Sequence, residues 1–499
     1  MKNRRYDSEL VEFSASFIPA FTLVIVICLL FCSVCSSYGL VYDEYLGEVI
    51  GMKRENPFLT VILMIICTCL LYIFNMESAH VKKNLLIALM LCWTIVLGYG
   101  FVYSSSRMPA GDAEIVAGAA FNMAKGNASG MHSYFEKYPF RLGLAFFEEI
   151  CFRVLMLFAP SISRGYCVMA LQVLNVLLLA LSFYALTRIS FLLFESELCE
   201  KITALFLMFY TPVILSCNSL SGRIPAICCS LIGIWAFLQY RKERNFISAL
   251  LCVAAMGLSL CIKLDSLIIL IALLIIMVLE AVGEGSWRGI KLLLCTLAFS
   301  LTMVFVPTAI YDLRFEADLI EGDITLYSAM GLGEEEDAYL HYDGLYSAMS
   351  YGSGGDEDSQ IENTPFSWLA VQEQWNEPSF RTLYNNRDSM HYRDTGSLNR
   401  ILCYDMEKLV LGQMNLQQNM LLLGFAAALF FLIRKRDTVC LLPVLSVLGG
   451  FLFHMLFQAR SQHAMRYYML MVPVAAYGFE SMFLSYDNKN KSLKREEIS

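Results

Sequence analysis

The sequence predicts an all-α polytopic membrane protein. The chain of 499 residues is 57% hydrophobic and only 16% charged, where soluble domains carry roughly 25% charged residues. Its mean hydropathy is +0.55. The apolar residues fall into blocks of about 20, the length that crosses a bilayer as a helix. The net charge of −8 supplies no basic patch for nucleic acid, which is excluded as a partner.

Taken in order, spans are expected near 14–35, 57–75, 84–103, 165–187, 202–217, 222–240, 246–262, 266–282, 290–310, 417–433, 438–457 and 465–483, about twelve crossings at roughly 20 residues each. The first follows Lys2, Arg4 and Arg5 without a clear small-residue cleavage site and reads as a signal anchor. The organisation is then an N-terminal group of three spans (1–103), a large outer loop (104–164), a membrane core (165–310), a polar outer segment (311–415), three C-terminal spans (416–485) and a basic tail (486–499).

One stretch decides the orientation. Residues 140–160, "FRLGLAFFEEICFRVLMLFAP", are apolar but hold Arg141, Glu148, Glu149 and Arg153. A charge at the centre of a spanning helix costs roughly 2.5–3.5 kcal/mol. Short basic loops belong in the cytoplasm. Lys2/Arg4/Arg5, Lys82/Lys83, Arg241/Lys242/Arg244, Arg434/Lys435/Arg436 and the tail share one side only if 140–160 does not cross. It is therefore expected as an amphipathic helix at the outer surface. Both termini are placed in the cytoplasm, and the segments 104–164 and 311–415 outside the cell membrane.

Most of the seventeen cysteines lie in apolar runs and behave as small hydrophobes. Cys32 and Cys35 form a CxxC with no His or acid nearby, a poor metal site. The polar segment 311–415, with "GEEEDAYLHYDG" and "GSGGDEDSQ", holds only Cys403, so it has no internal disulfide framework. No GxxxxGK[ST] nucleotide loop is present.

The chemistry-bearing residues collect at expected outer edges. Asp112 and Glu114 open the large outer loop in "PAGDAEIV". Two readings stand side by side. Asp112 caps a helix running from Ala113 to Lys125 and stopping at Gly126, with Glu114 in its first turn. Alternatively, it is a carboxylate at the membrane–water boundary, able to take a proton or hold a cation. At a spacing of two the acids do not share a helix face. Arg141 follows Tyr138-Pro139, and with Lys137 it either meets phosphate or anchors the interface. Arg223 and Lys263 stand at outer span edges, where each either snorkels or grips an anionic headgroup. Arg460, His463 and Arg466 crowd one short outer turn, with His454 just inside the preceding span. Ionisable groups at membrane depth favour an anion site there. Acids on one loop and bases on later turns suit a lipid-linked phosphate donor and an acceptor hydroxyl.

These pieces, in this order, resemble the membrane-embedded C-type glycosyltransferases (GT-C fold), in particular glycosyltransferase family 39. That family holds protein O-mannosyltransferases and aminoarabinose lipid A transferases, and the likeness is greatest to its Gram-positive bacterial branch. The resemblance rests on "PAGDAEIV", "YPFRLGLAFFEE", "GRIPA", "LCIKLDSLIILIA", "QWNEPSF" and "GGFLFHMLFQARSQHAMRYYMLMVPVAAYG". It implies transfer of a sugar from a polyprenyl-phosphate donor to a glycan, lipid or protein acceptor, with inversion and no covalent intermediate. It implies Asp112 as base, with Glu114 beside it. Lys263, Arg460 and Arg466 would meet the donor phosphate, joined by Arg141, Arg223 and His463. The acids here are spaced Asp112-Ala113-Glu114 rather than tightly paired. No cofactor is called for with certainty, and a divalent metal stays open. Membrane lipid is a partner throughout.

Two rivals remain in other classes. A transporter or flippase of lipid-linked glycans would use the same bases, but would line a path through the bundle with acids. Few acids fall inside the spans, and no inverted repeat with broken helices is seen. A non-catalytic membrane scaffold would instead use 311–415 as a binding module.

Overall fold

The computed structural model describes residues 9–43, 47–105, 109, 112–127, 132–284, 287–315, 319, 407–456 and 461–496. The helices are α1 (Glu9–Cys35), α2 (Pro57–Glu77), α3 (Lys83–Ser105), α4 (Asp112–Ala124), α5 (His132–Lys137), α6 (Leu142–Phe158), α7 (Arg164–Phe194), α8 (Glu197–Met208), α9 (Thr211–Leu215), α10 (Arg223–Glu243), α11 (Phe246–Ile262), α12 (Leu267–Glu284), α13 (Trp287–Phe315), α14 (Glu407–Lys435), α15 (Leu441–Leu456) and α16 (Ser461–Glu496). The all-helical expectation needs one correction. Strands β1 (Ser36–Asp43) and β2 (Gly47–Arg54) pair antiparallel, Ser36 opposite Arg54. The segment is too polar to span and too short for a further helix pair, so the chain closes its backbone hydrogen bonds as a hairpin.

Among the described residues eight helices are long and apolar enough to cross a membrane: α1, α2, α3, α7, α10, α12, α13 and α14. A ninth is added if α8, α9 and the turn to Asn218, bent by 52° at their break, form one span. The expected span at 202–217 is this broken pair, interrupted before Pro212, which cannot donate a helix hydrogen bond. The expected span end at 310 moves to Phe315, and the rest of 311–415 up to α14 lies almost wholly outside the described residues.

Local chemistry sets the helix ends. Asn56 caps α2, accepting from the backbone N–H of Phe58 and Leu59, with Pro57 in the first turn. Three tight connections share one design. Glu195, Arg244 and Arg436 adopt left-handed φ of 53°, 55° and 52° after α7, α10 and α14. In each, the next residue, Ser196, Asn245 or Asp437, accepts a backbone N–H of the following segment. Turns this short, two residues after α7 and α10 and five after α14, force antiparallel neighbours.

The core is one large apolar cluster. Within it α16 is buried almost continuously from Met465 to Ala476. By contrast α2 and α13 stand at the rim, exposing Phe58, Ile65, Leu70, Leu301 and Phe305. Such apolar exteriors suit lipid contact.

Helix α6 does not follow the bundle. It packs with α4 and α5 in a separate layer whose small core holds Val116, Met123, Phe135, Leu142, Leu144 and Tyr311. Two glycines seat this layer on the bundle. A Cβ at Gly143 would overlap the backbone carbonyl of Cys261 at the end of α11. Gly222, at φ +71°, opens α10, and a Cβ there would press on Leu144 of α6. The start of α6 is thus fixed against the adjoining ends of α10 and α11. Gly143→Ala should lower the thermal midpoint of the detergent-solubilised protein, reflecting an overpacking cost of about 1–3 kcal/mol. Gly412→Ala, which has nothing within 4 Å of the added Cβ, should leave the midpoint unchanged.

Candidate functional site

The helix ends sort into two faces. On one, Lys83 pairs with Glu197 and Glu200, Arg188 with Glu200, Arg241 with Glu280 and Arg436 with Glu12. Lys201 donates to the Ser78 carbonyl, Ser196 to Glu480 and Tyr72 to Asp487. These contacts tie the start of α1, the end of α2, the start of α3, the ends of α7, α10, α12 and α14, and the later part of α16. Lys83, Arg241 and Arg436, from three of the basic loops, find their partners here.

The opposite face carries the candidate site. Lys263 follows α11 in an extended conformation, and the chain then makes a short 3-10 turn, Leu264–Ser266, into α12. Asp265 sits in that turn. Its Oδ2 lies 3.7 Å from Lys263 Nζ and accepts from Arg466 Nη2 at 2.9 Å. Arg223, the first residue of α10, and Arg141, from the turn before α6, are close enough to Lys263 to repel its charge. Arg466 does the same from α16. Burial, opposed by Asp265 and assisted by these three guanidinium groups, pulls the Lys263 ammonium down to about 7. Arg223, Lys263 and Arg466 are only 7%, 8% and 1% exposed. They do not snorkel to water, as an edge residue would, but point into the protein. In Arg466, Nε and Nη1 are buried without a hydrogen-bond partner among the described residues.

Asp112 joins this group from the layer. It is the first residue of α4, and its Oδ2 accepts from Arg141 Nη2 at 2.9 Å. The capping reading thus shifts by one position: the carboxylate faces Arg141, with 56% of its side chain exposed to solvent. Glu114 is also exposed, and its backbone carbonyl accepts from Arg164 at 2.9 Å. The structure therefore brings together Asp112, Arg141, Arg223, Lys263 and Arg466, and leaves the Glu114 side chain on a different part of the helix surface. Arg460 lies outside the described residues. His463 is in α16, with its side chain outside what is described.

Three acids absent from the expected set shape the site. Asp265 is its internal counter-ion. Glu149, 3% exposed, accepts from Arg153 at 2.8 Å and from Arg314 at 2.7 and 2.9 Å. Both arginines also donate to the Met123 carbonyl, so this carboxylate locks α4, α6 and α13 together. Glu148 is 2% exposed, and its Oε2 has no hydrogen-bond partner. Burial raises its carboxyl, with Arg164 acting against the rise. The signal in the sequence was the acidic pair inside an apolar stretch.

Among the described residues no group of three or more His, Cys, Asp or Glu could hold a metal ion. Asp112 faces a guanidinium rather than further acids, so the described residues do not fit a metal, and no chemistry is routed through one.

Compared with models of known protein families and with curated proteins, the chain matches none.

A lysine held near 7 when folded, against about 10.4 unfolded, binds fewer protons folded than unfolded between those values. Folding stability from this group therefore rises with pH across that window, on the order of 1 kcal/mol per pH unit. The thermal midpoint of the unliganded protein, minus that of Lys263→Met, should increase from pH 7 to pH 9. A flat difference would remove the low value.

Proposed function

We propose that the chain is a glycosyltransferase of the GT-C type, moving a sugar from a polyprenyl-phosphate donor to an acceptor hydroxyl on the non-cytoplasmic face of the cell membrane. The observation that supports this best is the gathering of Arg141, Arg223, Lys263 and Arg466 about Asp265, with Asp112 on the solvent side. Guanidinium groups match phosphate oxygens in geometry, and the buried Nε and Nη1 of Arg466 have no hydrogen-bond partner among the described residues. The acceptor would be a hydroxyl on a glycan, lipid or protein.

The proposed arrangement crosses the membrane about twelve times, with α11, α15, α16 and the α8–α9 pair added to the eight longest apolar helices. Both termini and the paired basic face are then cytoplasmic, and the site is outside. Asp112 takes the acceptor proton as its oxygen attacks the anomeric carbon. The bond from that carbon to the phosphate oxygen breaks, the electron pair leaves with the phosphate, and configuration inverts. The four cations meet the charge that develops there. Arg141 touches Asp112 and adjoins the cluster, so it sets the distance between base and leaving group.

Asp112→Asn should lower turnover by about 10²–10⁴-fold, the usual worth of a positioned base, with the donor KM little changed. Arg223→Met should instead act mainly on donor KM. The measurement is consumption of a panel of polyprenyl-phosphate sugars by purified protein in detergent, where no second compartment exists. Full turnover by Asp112→Asn would remove the assigned base. A protein that carries donor across vesicles but never consumes it would be a flippase.

Orientation is tested separately. A cysteine at Glu136, exposed in α5, should react with an impermeant maleimide in intact cells, and one at Glu243 only after permeabilisation. The reverse pattern would put the site in the cytosol.

A further inference from the structure

We infer that anion binding in the Lys263 cluster is coupled to proton uptake: a phosphate group arriving among Lys263 and the three guanidinium groups draws one proton from water onto Nζ. This rests on the proposed function only for the identity of the ligand as a lipid phosphate ester.

The geometry leads there without any ligand. Lys263 is 8% exposed, at the meeting point of four elements. Arg141 faces it from the turn before α6, Arg223 from the start of α10, Arg466 from α16, and Asp265 from its own turn. Asp265 is a poor partner for it. The carboxylate is 3.7 Å from Nζ but 2.9 Å from Arg466, which claims the same oxygen. Three guanidinium groups cannot give up their protons near neutral pH, since arginine stays charged in proteins. The lysine is the member of the cluster that can relieve the repulsion by becoming neutral, in line with its lowered titration. An anion among these groups reverses the balance. It adds negative charge beside Nζ and offers acceptors to the buried Nε and Nη1 of Arg466. The ammonium form then wins, and the proton comes from solvent. On release it returns there, so no other reactant is needed.

The test uses the full chain in detergent micelles and two anions that do not titrate near neutral pH. Sulfate represents a free inorganic anion, and a geranyl methyl phosphodiester represents a lipid headgroup. Calorimetric titration in buffers of different protonation heat counts protons. For a site titrating near 7, uptake should be about nine-tenths of a proton per anion at pH 8 and about one-tenth at pH 6. Affinity should fall close to tenfold per unit above about pH 8. Lys263→Arg, which keeps the charge, should bind without uptake and with no pH dependence in this range.

Binding by the native chain without proton uptake overturns the coupling and leaves the proposed transfer standing. Uptake that survives in Lys263→Arg overturns it too, by assigning the proton elsewhere. Failure of both anions to bind overturns the site itself. Coupled binding of sulfate but not of the phosphodiester supports the coupling while removing the lipid donor.

Discussion

Burying like charges together is the constraint on which the rest of this structure depends. Arg223, Lys263 and Arg466 are buried, Arg141 is nearly so, and Asp265 is the carboxylate among them. No local propensity gathers such a group. Each member is delivered by a helix end whose position is set elsewhere. Arg466 arrives with the most deeply buried helix, Arg223 behind a left-handed Gly222, and Arg141 on a layer seated by Gly143. Apolar packing across the bundle holds the repulsion in place.

The candidate site is assembled from two bodies of the fold, each bringing an acid and at least one base. Asp112 and Arg141 are on the α4–α6 layer, whereas Arg223, Lys263 and Asp265 are on the bundle ends, with Arg466. The layer is not loosely attached. Glu149 grips Arg153 and Arg314, and both reach the Met123 carbonyl. Glu149 is buried while both arginines reach solvent, so removing the carboxylate would release both arginines from it at once. The clamp therefore fixes how far the water-facing carboxylate stands from the cations, the distance a displacement reaction would need held.

The helical architecture was legible because its signals are local. Blocks of apolar residues need only a short window, whereas the caps Asn56, Ser196 and Asn245 went unread in the sequence. The refusal of 140–160 to join the bundle was legible from its four charges, and the structure gives Arg141, Glu149 and Arg153 partners. What stayed hidden was long-range. Asp265 sat in plain view in "CIKLDS", but its role appears only when α16 brings Arg466 to it from 201 residues away. That Arg223 and Lys263 turn inward rather than snorkel depends on the same packing. The β-hairpin at 36–54 and the break between α8 and α9 were missed because both interrupt stretches otherwise judged by hydropathy alone.

The two faces use the same residue types to opposite ends. On the basic-loop face Lys83, Arg188, Arg241 and Arg436 each have a carboxylate at 2.5 to 3.8 Å. Their charge is spent within the protein, and topology alone accounts for them. On the other face one carboxylate oxygen serves both Lys263 and Arg466, while two nitrogens of Arg466 are left buried without an acceptor. An ion-pair network built only for stability would have matched charges, because an uncompensated buried charge is among the most destabilising features a fold can carry. Among the described residues, the sharing of one Asp265 oxygen by Lys263 and Arg466 suits a site that receives an anion.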